Sequence, residues 1–267
     1  GSFSMSLTGF SAILASSLYL FASVIIWKNI QSPTQKNIRP TIIKIVAAAI
    51  VLHLLILSRS IWVNSSIYFD IGNGLSLVML LASMILLTTH LNKPTETLGI
   101  FIYPIAAIST LLPLMIDERM QLPLELGSHV LISIAAYSIM GLATAQAILY
   151  GVQERNFKAK RLTKLMKALP PLQVMESTLL QLVKIGFIFL TFALISGAFF
   201  VENLFEQHLI HKTFFAILAW LVYGVFLFGH AKYGWRGQTA ARYTVWAYFL
   251  LILSYIGTTI VLEFINS

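Results

Sequence analysis

The stretch that decides the fold reads SHVLISIAAYSIMGLATAQAILYGV and covers residues 128–152. It contains no aspartate, glutamate, lysine or arginine and is apolar along most of its length. A helix needs about 20 such residues to cross a hydrocarbon layer about 30 Å thick, because the backbone must be hydrogen-bonded within the membrane. We therefore predict that residues 128–152 form a transmembrane helix.

Seven other stretches share this character. Of the 267 residues, 58% are hydrophobic and 10% are charged, whereas about 25% are charged in soluble domains. The sequence predicts an all-α fold, a polytopic integral membrane helix bundle of about eight transmembrane helices. Residues 5–267 are expected to form this single bundle, with Gly1 to Ser4 a cloning remnant before Met5. The predicted spans lie near 6–27, 40–63, 70–90, 96–116, 128–152, 174–200, 211–231 and 241–264.

The basic residues orient this bundle, because loops rich in lysine and arginine remain in the cytoplasm. The first, third, fifth and seventh loops hold 14 of the 18 basic residues. We therefore expect a multi-pass protein of the bacterial inner (cytoplasmic) membrane with both termini outside. The net charge of +8 then indicates contact with lipid and not with nucleic acid. The 14 residues are Lys28, Lys36, Arg39, Lys44, Lys93, Arg155, Lys158, Lys160, Arg161, Lys164, Lys167, Lys232, Arg236 and Arg242.

The longest cytoplasmic connection lies between Arg155 and Lys167 and continues to Leu172. Apolar residues recur in it at helical spacing among basic ones, which predicts a short helix on the membrane surface. Such a helix anchors anionic lipid headgroups or docks a cytoplasmic or membrane protein partner, and the sequence leaves both open.

Three histidines fall on the predicted outer face. His129 begins the fifth span, and His208 and His211 lie just before and at the start of the seventh, so the three can meet. His53 lies about 20 Å along its helix and could approach the same region or hydrogen-bond across helices. Neutral imidazole ligates haem iron and transition metals.

Arg59, Arg119 and Lys212 are the cations at the outer ends of the predicted helices. Each of them either pairs with a haem propionate or is an ordinary interfacial residue. On the cytoplasmic side, His90 and His230 form a second possible pair. Ser177, Gln181, Lys184 and Thr191 share one face of the sixth span, which we expect to turn inward.

Three runs of the sequence resemble one family of membrane proteins. The runs are GSHVLISIAAYSIMGLATAQAILYGVQER, LPPLQVMESTLLQLVKIGFIFLTFALISG and HKTFFAILAWLVYGVFLFGHAKYGWRG. The resemblance is to the cytochrome c assembly family, CcsA/CcmC-like haem-handling proteins, and specifically to its short YpjD/HemX-like branch. It implies haem binding outside the membrane, with His129 matching the first periplasmic histidine and His230 a deeper one. The tryptophan-rich segment of the family is replaced here by VENLFEQHLIH, so His211 or His208 is the candidate second ligand.

The leading hypothesis is a protein that binds or senses haem near the periplasmic face in cytochrome or haem biogenesis, with His129 and His211 as the iron ligands. No GxxxxGK, HExxH or GxSxG motif is present, and no enzyme activity is expected. One alternative is a non-haem accessory or regulatory subunit that acts on a partner through the basic segment. The other is a small-solute or ion carrier centred on Lys184 and His53.

Overall fold

The computed structural model describes the backbone of residues 2–115, 120–200 and 207–266. Within these ranges, the side chains of residues 2–6, 71, 120, 164, 200, 207–209 and 257–266 are not described. The helices are α1 (Ser2–Gln31), α2 (Arg39–Ile61), α3 (Ile71–Asn92), α4 (Gly99–Met115), α5 (Leu124–Lys158), α6 (Lys164–Ala168), α7 (Leu172–Phe200), α8 (Gln207–Tyr233) and α9 (Gln238–Asn266).

The helices confirm the predicted all-α membrane bundle. In the part of the chain that the structure describes, seven helices are long and apolar enough to cross a membrane, namely α1 to α5, α7 and α8. The helix α9 covers the eighth predicted span, and the side chains of its last turns lie outside the described residues. The exact number of spans and their orientation stay predictions.

The contacts divide the chain into two compact units, and the single bundle stays a prediction. Unit 1 comprises residues 1–127 and 160–174, and unit 2 comprises residues 128–159 and 175–267. In unit 1, α1 packs on α2 and α4, and α3 packs on α2 and α4. A stripe of small residues lets α1 approach closely, because Ala12, Ala15 and Ala22 are fully buried. The helix α4 continues to Met115 through Pro104 and Pro113.

Unit 1 also contains a small sheet that the sequence did not predict. Strands β1 (Trp62–Val63), β2 (Ser66–Phe69) and β3 (Met120–Leu122) pair antiparallel in that order, with Ile67 opposite both Trp62 and Leu122. Asn64 and Ser65 both have positive φ, the backbone of a tight two-residue hairpin turn. The sheet joins the end of α2 to the start of α3.

The predicted surface helix is shorter than expected. The helix α5 continues to Lys158, and α6 covers only Lys164–Ala168 and is capped by the Thr163 hydroxyl. The helix α6 contacts α1. Part of the surface beneath α6 is therefore protein.

Unit 2 contains α7, α8, α9 and most of α5. A Cβ atom on Gly186 of α7 would lie 2.6 Å from Met140 Sδ of α5, so these helices approach at a position that glycine keeps open. Between α7 and α8 the rings of Phe187 and Trp220 stack, and Trp220 Nε1 donates to Thr191. The helices α8 and α9 pack along each other.

Candidate functional site

His129 lies near the start of α5, half-buried, and faces α7. Its Nδ1 atom is 2.7 Å from Ser196 Oγ, and Ser196 Oγ donates its single proton to the Ala193 carbonyl at 2.9 Å. The His129 ring also bonds to the Ala193 carbonyl, and the tautomer with the proton on Nδ1 fits a Ser196 hydroxyl that donates to Ala193. The other ring nitrogen, Nε2, then carries the lone pair, which is the form of imidazole that ligates a metal.

Gly197 lies against the His129 ring, and Lys212 acts on it electrostatically. A Cβ atom on Gly197 would lie 3.1 Å from His129 Cε1, so glycine leaves the space that the ring occupies. The Lys212 ammonium at the start of α8 interacts electrostatically with the ring. The carbonyl of Lys212 accepts a hydrogen bond from Ser254 of α9 at 2.7 Å. Elements of unit 2 therefore bring the Lys212 cation within electrostatic range of the His129 ring.

The remaining outer-face candidates have different surroundings. His211 is exposed at the start of α8, one residue before Lys212, and Arg59 is exposed near the end of α2. The His208 side chain and Arg119 lie outside the described residues. Within the described part of the chain, no three histidine or carboxylate residues cluster as a metal site.

The His230 ring donates a hydrogen bond through Nδ1. This atom is 2.6 Å from the Trp235 carbonyl, which can only accept, so Nδ1 carries a proton. The Phe226 ring lies beside it. Its predicted partner, His90, belongs to unit 1.

His53 is fully buried in unit 1, and both of its ring nitrogens are hydrogen-bonded. Nδ1 is 3.0 Å from the Tyr19 hydroxyl and Nε2 is 2.8 Å from Ser76 Oγ. The structure thus matches the alternative of a histidine bonded across helices. With both nitrogens engaged, His53 has no lone pair directed to a metal.

The predicted inward face of α7 is wrong in part. Lys184 and Ser177 are exposed, whereas Thr191 accepts the Trp220 bond described above. A long lysine side chain on the outer surface of a span reaches toward the headgroups. The carrier alternative thereby loses the inward cation on which it was centred.

The basic segment borders a groove in unit 2, between α5 and α9. Its volume is about 510 Å³, and Lys158 at its edge pairs with Glu154 at 3.0 Å. The groove is lined by cations, a tryptophan and aliphatic residues. This combination suits the headgroups and acyl chains of lipids. The lining includes Ile148, Gly151, Arg155, Lys158, Arg242 and Trp246.

Comparison with known proteins identifies the family. The family model described as Cytochrome C assembly protein matches residues 5–266. The Escherichia coli K12 inner membrane protein YpjD is 28% identical over 207 residues, which cover 74% of this chain and 78% of that protein. An uncharacterized 28.8 kDa protein of Azospirillum brasilense is 32% identical over 137 residues, or 51% of each chain.

A more distant similarity reaches a protein named for cytochrome c biogenesis. CcsA of Prochlorococcus marinus is 32% identical over 74 residues, which cover 27% of this chain and 23% of CcsA. No solved structure matches the chain. The match over nearly the whole chain, together with the membrane helices, leads to one conclusion: this is a multi-pass bacterial inner-membrane protein that belongs to the cytochrome c assembly protein family.

Proposed function

We propose that the protein binds or senses haem near the outer face of the membrane, without catalysing a reaction, and that His129 is an iron ligand. The observation that carries the proposal is the His129–Ser196–Ala193 chain, which leaves Nε2 as a lone-pair donor. Membership of the cytochrome c assembly family and the name of the CcsA relative agree with a haem-related role.

The residues around His129 fit the chemistry of haem. Axial histidines in haem proteins present one nitrogen to iron while the other ring N–H is held by a hydrogen-bond partner, and Ser196 is that partner here. A haem propionate is anionic, and Lys212 supplies a cation that interacts electrostatically with the ring. When bound, the haem supplies an iron centre that takes axial ligands. The protein holds the His129 ring in its tautomer and provides the cation.

The second ligand in this proposal is His211. It is exposed on the residue before Lys212, which places it on the helix that brings the cation to His129. His208 is the other candidate, and its side chain lies outside the described residues. Arg59 and Arg119 remain predicted propionate partners, and His230 remains a predicted ligand of a separate site.

The test is the absorption spectrum of protein purified from cells supplied with excess haem. The parent protein is expected to show a Soret band that the His129→Ala/His211→Ala double variant lacks. A Ser109→Ala variant serves as a control, because Ser109 makes the same type of bond to the carbonyl three residues before it, in unit 1. A parent protein without a Soret band, or a double variant that retains it, would contradict the proposal.

The second candidate is a regulatory subunit without haem, acting on a partner through the segment between Arg155 and Lys167. The observation that favours it is the exposure of Lys158, Lys160 and Arg161. Charge reversal of these three residues should release a partner that co-purifies with the parent protein. Retention of that partner would assign the segment to lipid contact instead.

A further inference from the structure

The groove between α5 and α9 is a cavity of unit 2 that the His129 site does not use. Its volume of about 510 Å³ lies within the range of about 300–1,000 Å³ that small-molecule sites occupy. The first residue of α5 that lines it is Ala147, which follows His129 by 18 residues. At 1.5 Å per residue this separation is about 27 Å along the helix. The groove is therefore distinct from the His129 site.

Small residues form the floor of the groove. Ala147 and Gly151 on α5 and Ala241 on α9 line it and are buried. A Cβ atom on Gly151 would lie 3.5 Å from Gln238 Oε1 of α9, so the two helices approach each other closely at this point. The floor is thus a packed contact between two long helices, and the groove belongs to the helix packing and not to a loop.

The two helices run antiparallel along the groove. Gly151 of α5 faces Gln238 of α9, whereas Gly141, ten residues earlier on α5, faces Tyr248, ten residues later on α9. A Cβ atom on Gly141 would lie 2.9 Å from the Tyr248 hydroxyl oxygen. The last turns of α5 and the first turns of α9 therefore lie together at one end of the groove.

Cations collect at that end of the groove. Arg155 and Lys158 line it from α5, and Arg242 lines it from α9. Lys158 pairs with Glu154 at 3.0 Å, whereas Arg155 and Arg242 form no ion pair within the part of the chain that the structure describes. Arg155 Nε donates to the Gly151 carbonyl at 3.2 Å, which holds the guanidinium group at the groove. An arginine presents a planar fork of N–H donors that matches two oxygens of a phosphate group.

Apolar side chains form the walls toward the other end. Ile148 is 54% exposed, Val245 is 37% exposed and Trp246 is 65% exposed. Ile148 precedes Arg155 by seven residues, or about 10 Å along α5. Tryptophan is the side chain that membrane proteins place at the level of the headgroups. The groove thus has a charged end and an apolar end, which is the polarity of a phospholipid molecule.

We propose that the α5–α9 groove binds one anionic phospholipid molecule, whose phosphate group is contacted by Arg155 and Arg242. Its acyl chains lie along Ile148, Val245 and Trp246 and continue into the bilayer. Basic pockets between transmembrane helices on the cytoplasmic side are typical sites for anionic headgroups. A soluble phosphate ester would use the charged end alone, and the exposed apolar walls beside it favour a lipid. The site is independent of haem, because none of its residues borders His129.

The experiment is a native mass spectrometry titration of the full-length protein, purified in detergent and mixed with phosphatidylglycerol or phosphatidylcholine. The parent protein should bind one phosphatidylglycerol molecule at least tenfold more tightly than phosphatidylcholine. The Arg155→Gln/Arg242→Gln variant should bind phosphatidylglycerol about 30-fold more weakly, as expected for the loss of two cations that contact an anionic headgroup. The matched control is Lys160→Gln/Arg161→Gln, which removes two exposed cations that do not line the groove. Its affinity should equal that of the parent protein.

A second variant tests the apolar end of the groove. Trp246→Ala removes the largest apolar wall and should weaken phosphatidylglycerol binding about tenfold, because the acyl chains lose buried contact area. Its matched control is Trp27→Ala in α1, because Trp27 is 50% exposed on a helix of unit 1. That variant should bind phosphatidylglycerol like the parent protein. All of the substituted side chains are exposed, so none of these changes removes a core contact.

Three results would overturn the proposal. The first is a parent protein that retains no lipid or binds the two lipids equally. The second is an equal loss of affinity in the two charge variants, which would reduce the effect to the general attraction between a basic surface and an anionic lipid. The third is displacement of phosphatidylglycerol by an equimolar amount of glycerol 3-phosphate, which would assign the charged end to a soluble phosphate ester.

Discussion

Ser196→Ala provides a sharp test of how the protein prepares His129 for a metal. The substitution removes the oxygen that lies 2.7 Å from His129 Nδ1. The ring then loses one of its two hydrogen-bond partners, since the Ala193 carbonyl remains. The tautomer with the lone pair on Nε2 and the ring orientation are then held less firmly. Haem affinity should fall while the histidine itself remains.

The size of the loss follows from the surroundings of the ring. Removing the outer hydrogen-bond partner of a metal-ligating histidine weakens metal affinity about 10- to 100-fold, or about 1.4–2.7 kcal/mol. Because His129 is only half-buried, water can reach Nδ1–H and replace part of the lost bond. We therefore expect the lower end of that range, about a tenfold weaker affinity.

The assay is a titration of detergent-solubilised protein with haemin, followed at the Soret maximum. Ser109→Ala is the matched control, because Ser109 is buried and donates to Ala106 at 2.7 Å as Ser196 donates to Ala193. Its affinity should equal that of the parent protein. If Ser196→Ala also binds haem like the parent protein while His129→Ala does not, the tautomer argument is wrong even though the ligand is correct.

Three further predictions concern charge, helix capping and orientation. Lys212→Gln should weaken haem affinity about two- to fivefold, the effect of an exposed ion pair, and a haemin titration in low and high salt should show a loss that disappears in high salt. Asp70→Ala should lower the free energy of unfolding by about 1 kcal/mol, because the Asp70 side chain caps α3 by accepting from Asn73 N at 2.7 Å. Denaturant titration should find Asp70→Asn about as stable as the parent protein. An equal loss of stability in Asp70→Ala and Asp70→Asn would contradict the capping role. The chain has no cysteine, so single cysteines can report its orientation. Glu125→Cys should react with a membrane-impermeant maleimide in intact spheroplasts, and Arg161→Cys should react only after permeabilisation. The reverse result would invert the predicted topology.

The helices could be predicted from the sequence because the signal that defines them is local. A run of about 20 apolar residues has to be a helix in lipid, and each predicted span overlaps one long helix. The sheet could not be predicted in the same way. Its strands have two to four residues, too few for a readable alternation of polar and apolar side chains. The pairing also depends on a strand that follows α4 in the chain.

The candidate site was predictable only in part. His129 is recognisable as a polar residue at the start of a span, but Ser196 lies 67 residues away and nothing local links the two. The adjacent Ser196 and Gly197 indicate close helix packing, and the sequence does not say which ring occupies that space. The buried His53 carries the same ambiguity, because a histidine in a span gives no sign of whether its nitrogens are free or bonded.

Lys184 shows how a shared helical face can mislead. Spacing places it on one side of α7 with Ser177, Gln181 and Thr191, but spacing alone does not say which side turns inward. The polar atom of Thr191 is used by Trp220, while Lys184 is exposed. A charged residue in a span can be stable on the outer surface because its long side chain reaches the headgroups.

The most direct measurement is the nitrogen hyperfine coupling of the haem iron in protein labelled with ¹⁵N-histidine. Electron paramagnetic resonance of the haem-loaded parent protein should show coupling to a labelled imidazole nitrogen. The His129→Ala variant, loaded with the same amount of haem, should lose the contribution of one ring. An unchanged histidine coupling in His129→Ala would contradict the assignment of His129 as an iron ligand.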